Sequence, residues 1–373
     1  MERVVAAMSG GVDSAVAASL LVEQGYEVIG ITMQVWPEGK QIPATARGCC
    51  SIDTVEDARR VAQTLRIPHY VLNMREDFNR TVIHDFIAEY RQGRTPNPCV
   101  ECNRHVKFDA LMERAGALGA RWVATGHYAR TWLDTATGRW KLFRGRDPAK
   151  DQSYVLYPLT QAQLSRAMFP LGDWTKDRAR ERAFDLGLQV AGKADSQEIC
   201  FVPDKDYGRF LEESDPETVR PGKIVDTAGR IRGEHRGVAF FTVGQRKGLG
   251  VASNTPLYVT RIDPVENLVI VGSDLEVMAR SCLVSNLNWI GIDPPESGIR
   301  VEARVRYNMR EAPAIVEPAD TGQWRLTFEN PQRAITPGQS AVFYRGDETL
   351  GGGLIDSVYA ESRAPELVQV ACA

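Results

Sequence analysis

Arg3-Val4-Val5-Ala6-Ala7-Met8-Ser9-Gly10-Gly11-Val12-Asp13-Ser14-Ala15-Val16-Ala17-Ala18 sets an apolar run, a pair of glycines and a second apolar run in succession. The first run predicts a strand over Arg3 to Ala7, and Ser9 to Ser14 predicts a tight turn. Ala15 to Gln24 predicts a helix ended by Gly25, since glycine tolerates the positive φ of a helix terminus. Tyr26 to Thr32 follows as a further apolar strand, so the chain opens with a βαβ unit.

The alternation continues outward from that unit. Val55, Ala58, Val61, Ala62 and Leu65 share one helical face, and His69 to Leu72 predicts a strand. Phe78, Val82, Ile83, Phe86, Ile87 and Tyr90 mark another helix, and Val106, Phe108, Leu111, Met112 and Ala115 one more. Trp122 to Thr125 is a strand running into Gly126-His127. Such alternation predicts an α/β fold with a parallel sheet covered on both faces. Ligands of these sheets sit at the carboxyl ends of strands, where Ser9–Ser14 and Gly126-His127 are expected. After about Cys200 the texture changes to short strands and glycine-rich turns, notably Gly244-Gln245-Arg246-Lys247-Gly248-Leu249-Gly250. From about Met278 short alternating runs predict a small antiparallel β-barrel. The expected division is 1–200, a small mixed central domain over 201–275, and a barrel over 276–373.

A chain of 373 residues that is 43% hydrophobic and 25% charged is neither disordered nor fibrous. Its net charge of −3 excludes a global basic field, so any nucleic-acid surface is a local patch. The stretch after Met1-Glu2-Arg3 lacks the long apolar region of an export signal. No apolar run approaches the ~20 residues of a membrane span, so no membrane partner is expected. Seven cysteines, an odd number, without an export signal point to a reducing compartment, and the expected location is the cytoplasm. Arg300, Arg304, Arg306 and Arg310 fall on one face of a strand whose other face carries Val301, Ala303 and Val305. Alternation places those arginines toward solvent. Arg139, Lys141, Arg144, Arg146 and Lys150 form a second basic cluster. A charged strand face is ordinarily only solvated, and a nucleic-acid surface is the alternative for both clusters.

The glycine turn has a specific chemistry. Its backbone N–H groups can approach phosphate oxygens, Ser14 can cap the helix, and the helix terminus favours an anion. No lysine follows the glycines, so the loop is not the phosphate-binding pattern used for γ-phosphoryl transfer. Asp13 is its one carboxylate, placed to orient the loop or to meet Mg²⁺. The thiols form a second constellation. Cys99 and Cys102 stand in a proline-stiffened stretch, Thr95-Pro96-Asn97-Pro98-Cys99-Val100-Glu101-Cys102-Asn103, with Arg104 and Lys107 nearby. Cys102 is expected at a helix entrance, where the thiolate is favoured and nucleophilic. A zinc site wants more ligands than one C-x-x-C supplies, since Cys49-Cys50 are adjacent; a redox pair and plain loop cysteines remain open. Cys200 follows the polar run Asp195-Ser196-Gln197-Glu198. Cys282 and Cys372 read as structural or incidental.

Taken together, these motifs resemble one family, the tRNA-specific 2-thiouridylases of the PP-loop ATP pyrophosphatase superfamily. They are Ser9–Ser14, Gly93-Arg94-Thr95-Pro96-Asn97-Pro98 with Cys102-Asn103, Thr125-Gly126-His127-Tyr128, Lys150-Asp151-Gln152-Ser153, Asp195-Ser196-Gln197 with Ile199-Cys200-Phe201, Thr242–Gly248, and Pro337-Gly338-Gln339. The resemblance implies a PP-loop domain, a small middle domain and a C-terminal barrel. It implies ATP at Ala7, Met8, Ser9, Gly10, Gly11, Val12, Asp13, Ser14, Met33 and Gly126, with Mg²⁺ as the accompanying ion. It implies target-base contacts at Asn97, Pro98 and Cys99, and tRNA contacts at His127, Lys150, Asp151, Gln152, Arg306, Tyr307 and Gln339. Cys102 is implied as the nucleophile and Cys200 as the carrier of a persulfide from a sulfur-donor protein, with a Cys102–Cys200 disulfide left after turnover. The implied reaction is 2-thiolation of the wobble uridine, driven by cleavage of ATP to AMP and pyrophosphate. Many members carry aspartate where Cys99 stands, which leaves the base-contact role there open. Three alternatives stand beside this reading. One is an amination ligase, which has no need of Cys102 and Cys200. Another is a non-catalytic RNA-binding protein, and the third an iron–sulfur cluster on Cys99, Cys102 and Cys200.

Overall fold

A computed structural model describes residues 1–36, 52–193, 199–202 and 204–360. The Cys49-Cys50 pair, Asp195-Ser196-Gln197 and Cys372 lie outside the described residues. The amino-terminal sheet contains β1 (Arg3–Ala7), β2 (Glu27–Gln34), β3 (His69–Asn73), β4 (Trp122–Ala124) and, after a hairpin, β7 (Ala167–Met168). Its order is β3-β2-β1-β4-β7 and every pairing is parallel. The strand order reverses between β1 and β4, which opens a crevice at their carboxyl ends.

β1 is buried on both faces, and its alternate residues feed two cores. Val4 and Ala6 join Val28, Ala124 and the helices α1 (Val12–Glu23) and α2 (Ile52–Leu65). Val5 points the other way, to Ile29, Ile31, Phe86, Phe108 and Leu111. Burying one such aromatic stabilises by about 1.5–3 kcal/mol. α1 is apolar nearly all round because it is covered on most sides. It starts three residues earlier than expected, at Val12, and ends where expected before Gly25 at φ +84°.

The central sheet orders β10 (Tyr258–Asp263), β11 (Leu268–Gly272), β8 (Gly222–Asp226) and β9 (Ile231–His235), mixing parallel and antiparallel pairs. The barrel runs β12 (Met278–Trp289), β15 (Trp324–Arg333), β14 (Ala312–Pro318), β13 (Ile299–Arg304), β16 (Ser340–Arg345) and β17 (Glu348–Ala360), closed by pairing of β12 with β17. One feature had no sequence signal. The hairpin β5 (Ala129–Asp134) and β6 (Arg139–Arg144), which leaves the first sheet just after Gly126-His127, extends the barrel sheet through Leu142 and Phe143 against Thr349 and Glu348. Val342 and Tyr344 of β16 and Leu211 of the central region belong to the same core cluster as Val5.

Candidate active site

The phosphate loop sits at the crevice. Met8 N–H donates to Ile31 O at 2.8 Å, and Thr32 Oγ1 donates to Met8 O at 2.8 Å, which fixes the exit from β1. Gly10 has φ +65°, and a Cβ there would lie 2.2 Å from Thr54 O, so only glycine fits. Ser14 does not cap the helix as expected. Gly11 is the N-cap, with no side-chain cap, and Ser14 stands inside the first turn. Its hydroxyl instead laces the loop, accepting from Ser9 N–H at 3.1 Å and donating to Gly11 O at 3.1 Å. The uncapped first turn of α1 is thereby left facing the crevice, a ready anion site. Gly126 closes the other side, since a Cβ there would meet the Asp13 backbone at 2.7 Å.

Asp13 is held by residues that sequence reasoning missed. Lys176 Nζ lies 2.8 and 2.9 Å from its two carboxylate oxygens, and Tyr128 OH donates to Oδ1 at 2.7 Å. Lys176 is 5% exposed. Lys193 approaches from the opposite side, donating to Gly10 O at 3.0 Å and to Asp57 at 2.9 Å. A loop without its own lysine thus has two supplied from distant segments. No local pattern announces either. The asparagine and aspartate caps that mark helix starts say nothing of long-range ion pairs.

The thiol stretch is built differently from expectation. Asn97 caps the helix with its side chain, accepting from Cys99 N–H at 3.2 Å, and Pro98 occupies the first helical position. The helix entrance is therefore Pro98-Cys99. Cys102 lies a turn further in, its N–H bonded to Pro98 O, where it opens a π-helical stretch, Cys102–Ala110. The terminus argument for its thiolate falls; wide π turns do recur at functional sites. Cys99, Cys102 and Cys200 are thiols. Cys99 is exposed; the Tyr307 hydroxyl is held above its ordinary range by burial, then by Asp151, then by Cys99. Cys200 is pinned by its neighbour Phe201, which packs at 5.7, 5.2 and 5.2 Å on Phe78, Phe86 and Phe210. Cys102, Cys200, Ala7 and Met33 are each part-buried and pack against the same large core cluster. Cys282 is fully buried, its thiol pushed up to about 12 by burial, hence inert.

The barrel grips the base-contact stretch. Gln339 Nε2 donates to Thr95 O at 2.8 Å and Pro96 O at 3.3 Å, and Thr95 N–H donates to Pro337 O at 2.9 Å. Beside it a cavity of about 360 Å³ is lined by Asp85, Glu89, Asn97, Glu101, Arg104 and Tyr157, among others. Its carboxylates disfavour a phosphate, whereas the uncapped first turn of α1 offers backbone N–H groups to one.

Several of the residues expected at the RNA also brace the protein internally. His127 is 8% exposed, shares a 2.7 Å hydrogen bond with Thr125 and packs between Phe108 and Phe169. Burial, then Lys107, holds its pKa far below the ordinary range, so it is neutral. Asp151 is buried and accepts from Gly145 N–H, Ser153 N–H and Ser153 Oγ. Gln152 accepts from Tyr128 N–H, and Gln339 is spent on the Thr95 loop. The arginine face is corrected as well. Val301, Ala303 and Val305 do point inward, and Arg300 is 84% exposed. Arg304, however, is 12% exposed and paired with Glu311, because β6 and its loop cover that face. Arg306 donates to Val243 O of the central region and to Thr336 Oγ1. In the second cluster Arg139, Lys141, Arg144 and Arg146 are paired with Asp293, Asp134, Glu311 and Asp173. Lys150 and Tyr307 keep partial exposure.

Comparison with known proteins agrees with this architecture. Residues 2–204 match the family model described as tRNA methyl transferase HUP domain, 208–273 the tRNA methyl transferase PRC-barrel domain, and 279–355 the aminomethyltransferase beta-barrel domain. A tRNA-specific 2-thiouridylase of Clostridium perfringens is 51% identical over 357 residues, covering 96% of this chain and 99% of the relative. Those of Heliobacterium modesticaldum and Moorella thermoacetica are 54% and 53% identical, covering 98% and 94% of this chain and 96% and 99% of theirs. No described helix is long and apolar enough to cross a membrane. With the phosphate loop, the three sheets and identity above half over nearly the whole length, the chain belongs to the tRNA-specific 2-thiouridylase family, a group of tRNA sulfurtransferases built on an ATP-using PP-loop domain.

Proposed function

We propose that the protein converts the wobble uridine of tRNA to 2-thiouridine by adenylating the uracil C2 oxygen and transferring sulfur from a persulfide on Cys200. The observation that supports this reading is a phosphate cradle at the uncapped first turn of α1, without a lysine of its own, in the same amino-terminal region as the thiols Cys102 and Cys200. Two of the matched models are described as methyl transferase. Methyl transfer has no use for a pyrophosphate cradle or a pair of thiols, and the curated relatives are named 2-thiouridylases, so sulfur transfer is the better account.

The steps balance. The uracil C2 oxygen attacks the α-phosphorus of ATP, pyrophosphate leaves, and N3 gives up its proton. The α1 terminus would hold phosphate oxygens through this step; Asp13, whose oxygens are bonded to Lys176 and Tyr128, would hold Mg²⁺ only on giving up the Lys176 contact, which would free that ammonium for the phosphates. The terminal sulfur of the Cys200 persulfide then attacks C2 and AMP departs. Cys102 attacks the inner sulfur, the S–S bond to the base breaks, and 2-thiouridine leaves as a Cys102–Cys200 disulfide forms. A thiol reductant restores the two thiols, and a persulfide-carrying donor protein reloads Cys200. In the division of labour we assign, residues 1–200 adenylate while 201–275 and 276–373 hold tRNA, in the cytoplasm. The target base must leave its loop to reach the crevice, and anticodon loops present unstacked bases.

The test is incubation with tRNA, Mg²⁺, ATP and a persulfide donor, followed by nucleoside mass spectrometry and product analysis. AMP, pyrophosphate and 2-thiouridine in step with one another support the mechanism; ADP and phosphate overturn it.

A further inference from the structure

We infer that the loop 242–250 of the central region is a phosphate clamp for the RNA strand, with Arg246 and Lys247 as its contacts. The inference rests on tRNA being the substrate and adds the part of the protein that fixes how the strand docks. It starts from an accounting of cations. Arg304, Arg139, Lys141 and Arg144 are paired with acids of their own chain and Arg306 is bonded to Val243 O and Thr336, whereas Arg300 and Arg310 stay exposed. Arg246 and Lys247, adjacent and exposed, form no ion pair with a described residue. With a net charge of −3 and no global field, such local cations carry the attraction for a polyanion.

The loop that bears them is braced. Gln245 accepts from Thr242 N–H at 3.0 Å and donates to Lys247 O at 3.0 Å, so one side chain ties the loop across its width. Gly244 N–H donates to Val259 O at 2.7 Å, and Val259 N–H donates to Gln245 O at 2.9 Å. Val243 and Leu249 are buried at the two ends, in separate apolar clusters. Little freedom is lost when a ligand meets a loop already held this way.

Its footing joins it to the site. Thr95 Oγ1 donates to Thr242 Oγ1 at 3.3 Å, and Arg306 reaches from the barrel to Val243 O at 2.8 Å. The segment that ends in Asn97, Pro98 and Cys99 is thus anchored to the base of the clamp. A phosphodiester fits two adjacent cations, the arginine as a fork and the lysine as a point charge. Contacts of this kind position a strand without reading its sequence. An acidic face of a donor protein is the competing partner. The footing on Thr95 favours the strand whose base Thr95 helps to present.

The experiment uses the full chain with Arg246→Gln/Lys247→Gln and, separately, Arg246→Lys. Affinity for tRNA is measured across a salt series, with ATP affinity and thermal midpoint alongside. The double variant is expected to bind tRNA about tenfold more weakly at low salt, and its log–log salt slope to fall by about 1.4–1.8, two contacts at 0.7–0.9 each. ATP affinity and midpoint stay unchanged, and Arg246→Lys keeps the parental slope. Parental affinity and slope in the double variant overturn the clamp. So does a loss confined to sulfur delivery from a persulfide-carrying protein, which makes the loop a protein-docking site. If the parent chain itself binds no tRNA, the substrate reading has failed and the clamp falls with it.

Discussion

Lys176 and Asp13 stand 163 residues apart in the chain and are joined at 2.8 and 2.9 Å, so the phosphate loop is set by a side chain outside its own motif. Removing either partner strands the other's charge. Asp13 keeps a third of its side chain exposed, so the loss falls below the ~3–5 kcal/mol of a fully buried pair, to about 1–2 kcal/mol. Lys176→Met and Asp13→Asn are each expected to lose that much stability, and the double variant less than the two losses added. Lys176→Met is also expected to weaken ATP binding by about tenfold, one charged hydrogen bond's worth. Denaturant unfolding and calorimetry check both; additive losses with unchanged ATP affinity make the pair incidental.

That pair also marks where sequence reading stops. The strand–glycine–helix opening was legible because it lies within a short local pattern: β1 has the expected bounds, and α1 differs chiefly in starting at Val12. Lys176 was not, because nothing near it in the chain encodes Asp13. Arg304 and Arg306 show a subtler failure. Period-2 alternation correctly sent Val301, Ala303 and Val305 inward, but the outward face of one domain is covered by another, and alternation carries no information about that. The role of Gln339 as a brace on Thr95, and the close approach of Gly126 to Asp13, needed the tertiary contacts.

Gln339→Ala removes the hydrogen bonds that hold Thr95 and Pro96. The loop then presents Asn97 and Cys99 less accurately, and small misplacements of a reacting group are costly in rate. Single-turnover thiolation is expected to slow by about tenfold while ATP affinity is unchanged. Gln339→Glu, which offers an acceptor to two carbonyls, is expected to be worse than alanine. Equal rates in all three proteins remove Gln339 from the positioning of the loop.

Asp85 gives a pH dependence of defined sign. Burial, then Glu101 and Glu89, raise its pKa from 3.8 to about 6, against the opposing pull of His105 and Arg94. The folded state therefore keeps a proton that the unfolded chain releases between those values. Stability contributed by the neutral carboxyl is present at the acidic end and is lost as pH rises through that window. Asp85→Asn is expected to gain on the order of 1 kcal/mol at pH 7, after discounting for partial exposure, and to flatten this part of the profile. Denaturant midpoints at pH 4.5 and 7, about either side of the folded value, read the difference. A variant destabilised equally at both pH values contradicts the assignment.

The thiols separate two sulfur chemistries. Cys99, Cys102 and Cys200 could carry an iron–sulfur cluster with one open iron, on which inorganic sulfide is the donor. The persulfide route needs Cys102 and Cys200 alone. Cys99 is exposed at the helix start, while Cys102 is part-buried against the core. We favour the persulfide route, in which Cys99 is not required. Cys102→Ala and Cys200→Ala are accordingly expected to abolish thiolation. Cys99→Ala, which neither ligates iron nor mimics a carboxylate, is expected to keep substantial activity. The measurement is sulfur transfer from a persulfide donor by anaerobically purified protein, with iron content and visible absorbance recorded for each variant. Cys102→Ala should in addition trap the base on Cys200 as a mixed disulfide that releases on adding thiol, because the departing step needs the Cys102 sulfur. Activity that tracks iron and disappears in Cys99→Ala decides for the cluster and overturns the roles assigned to all three thiols.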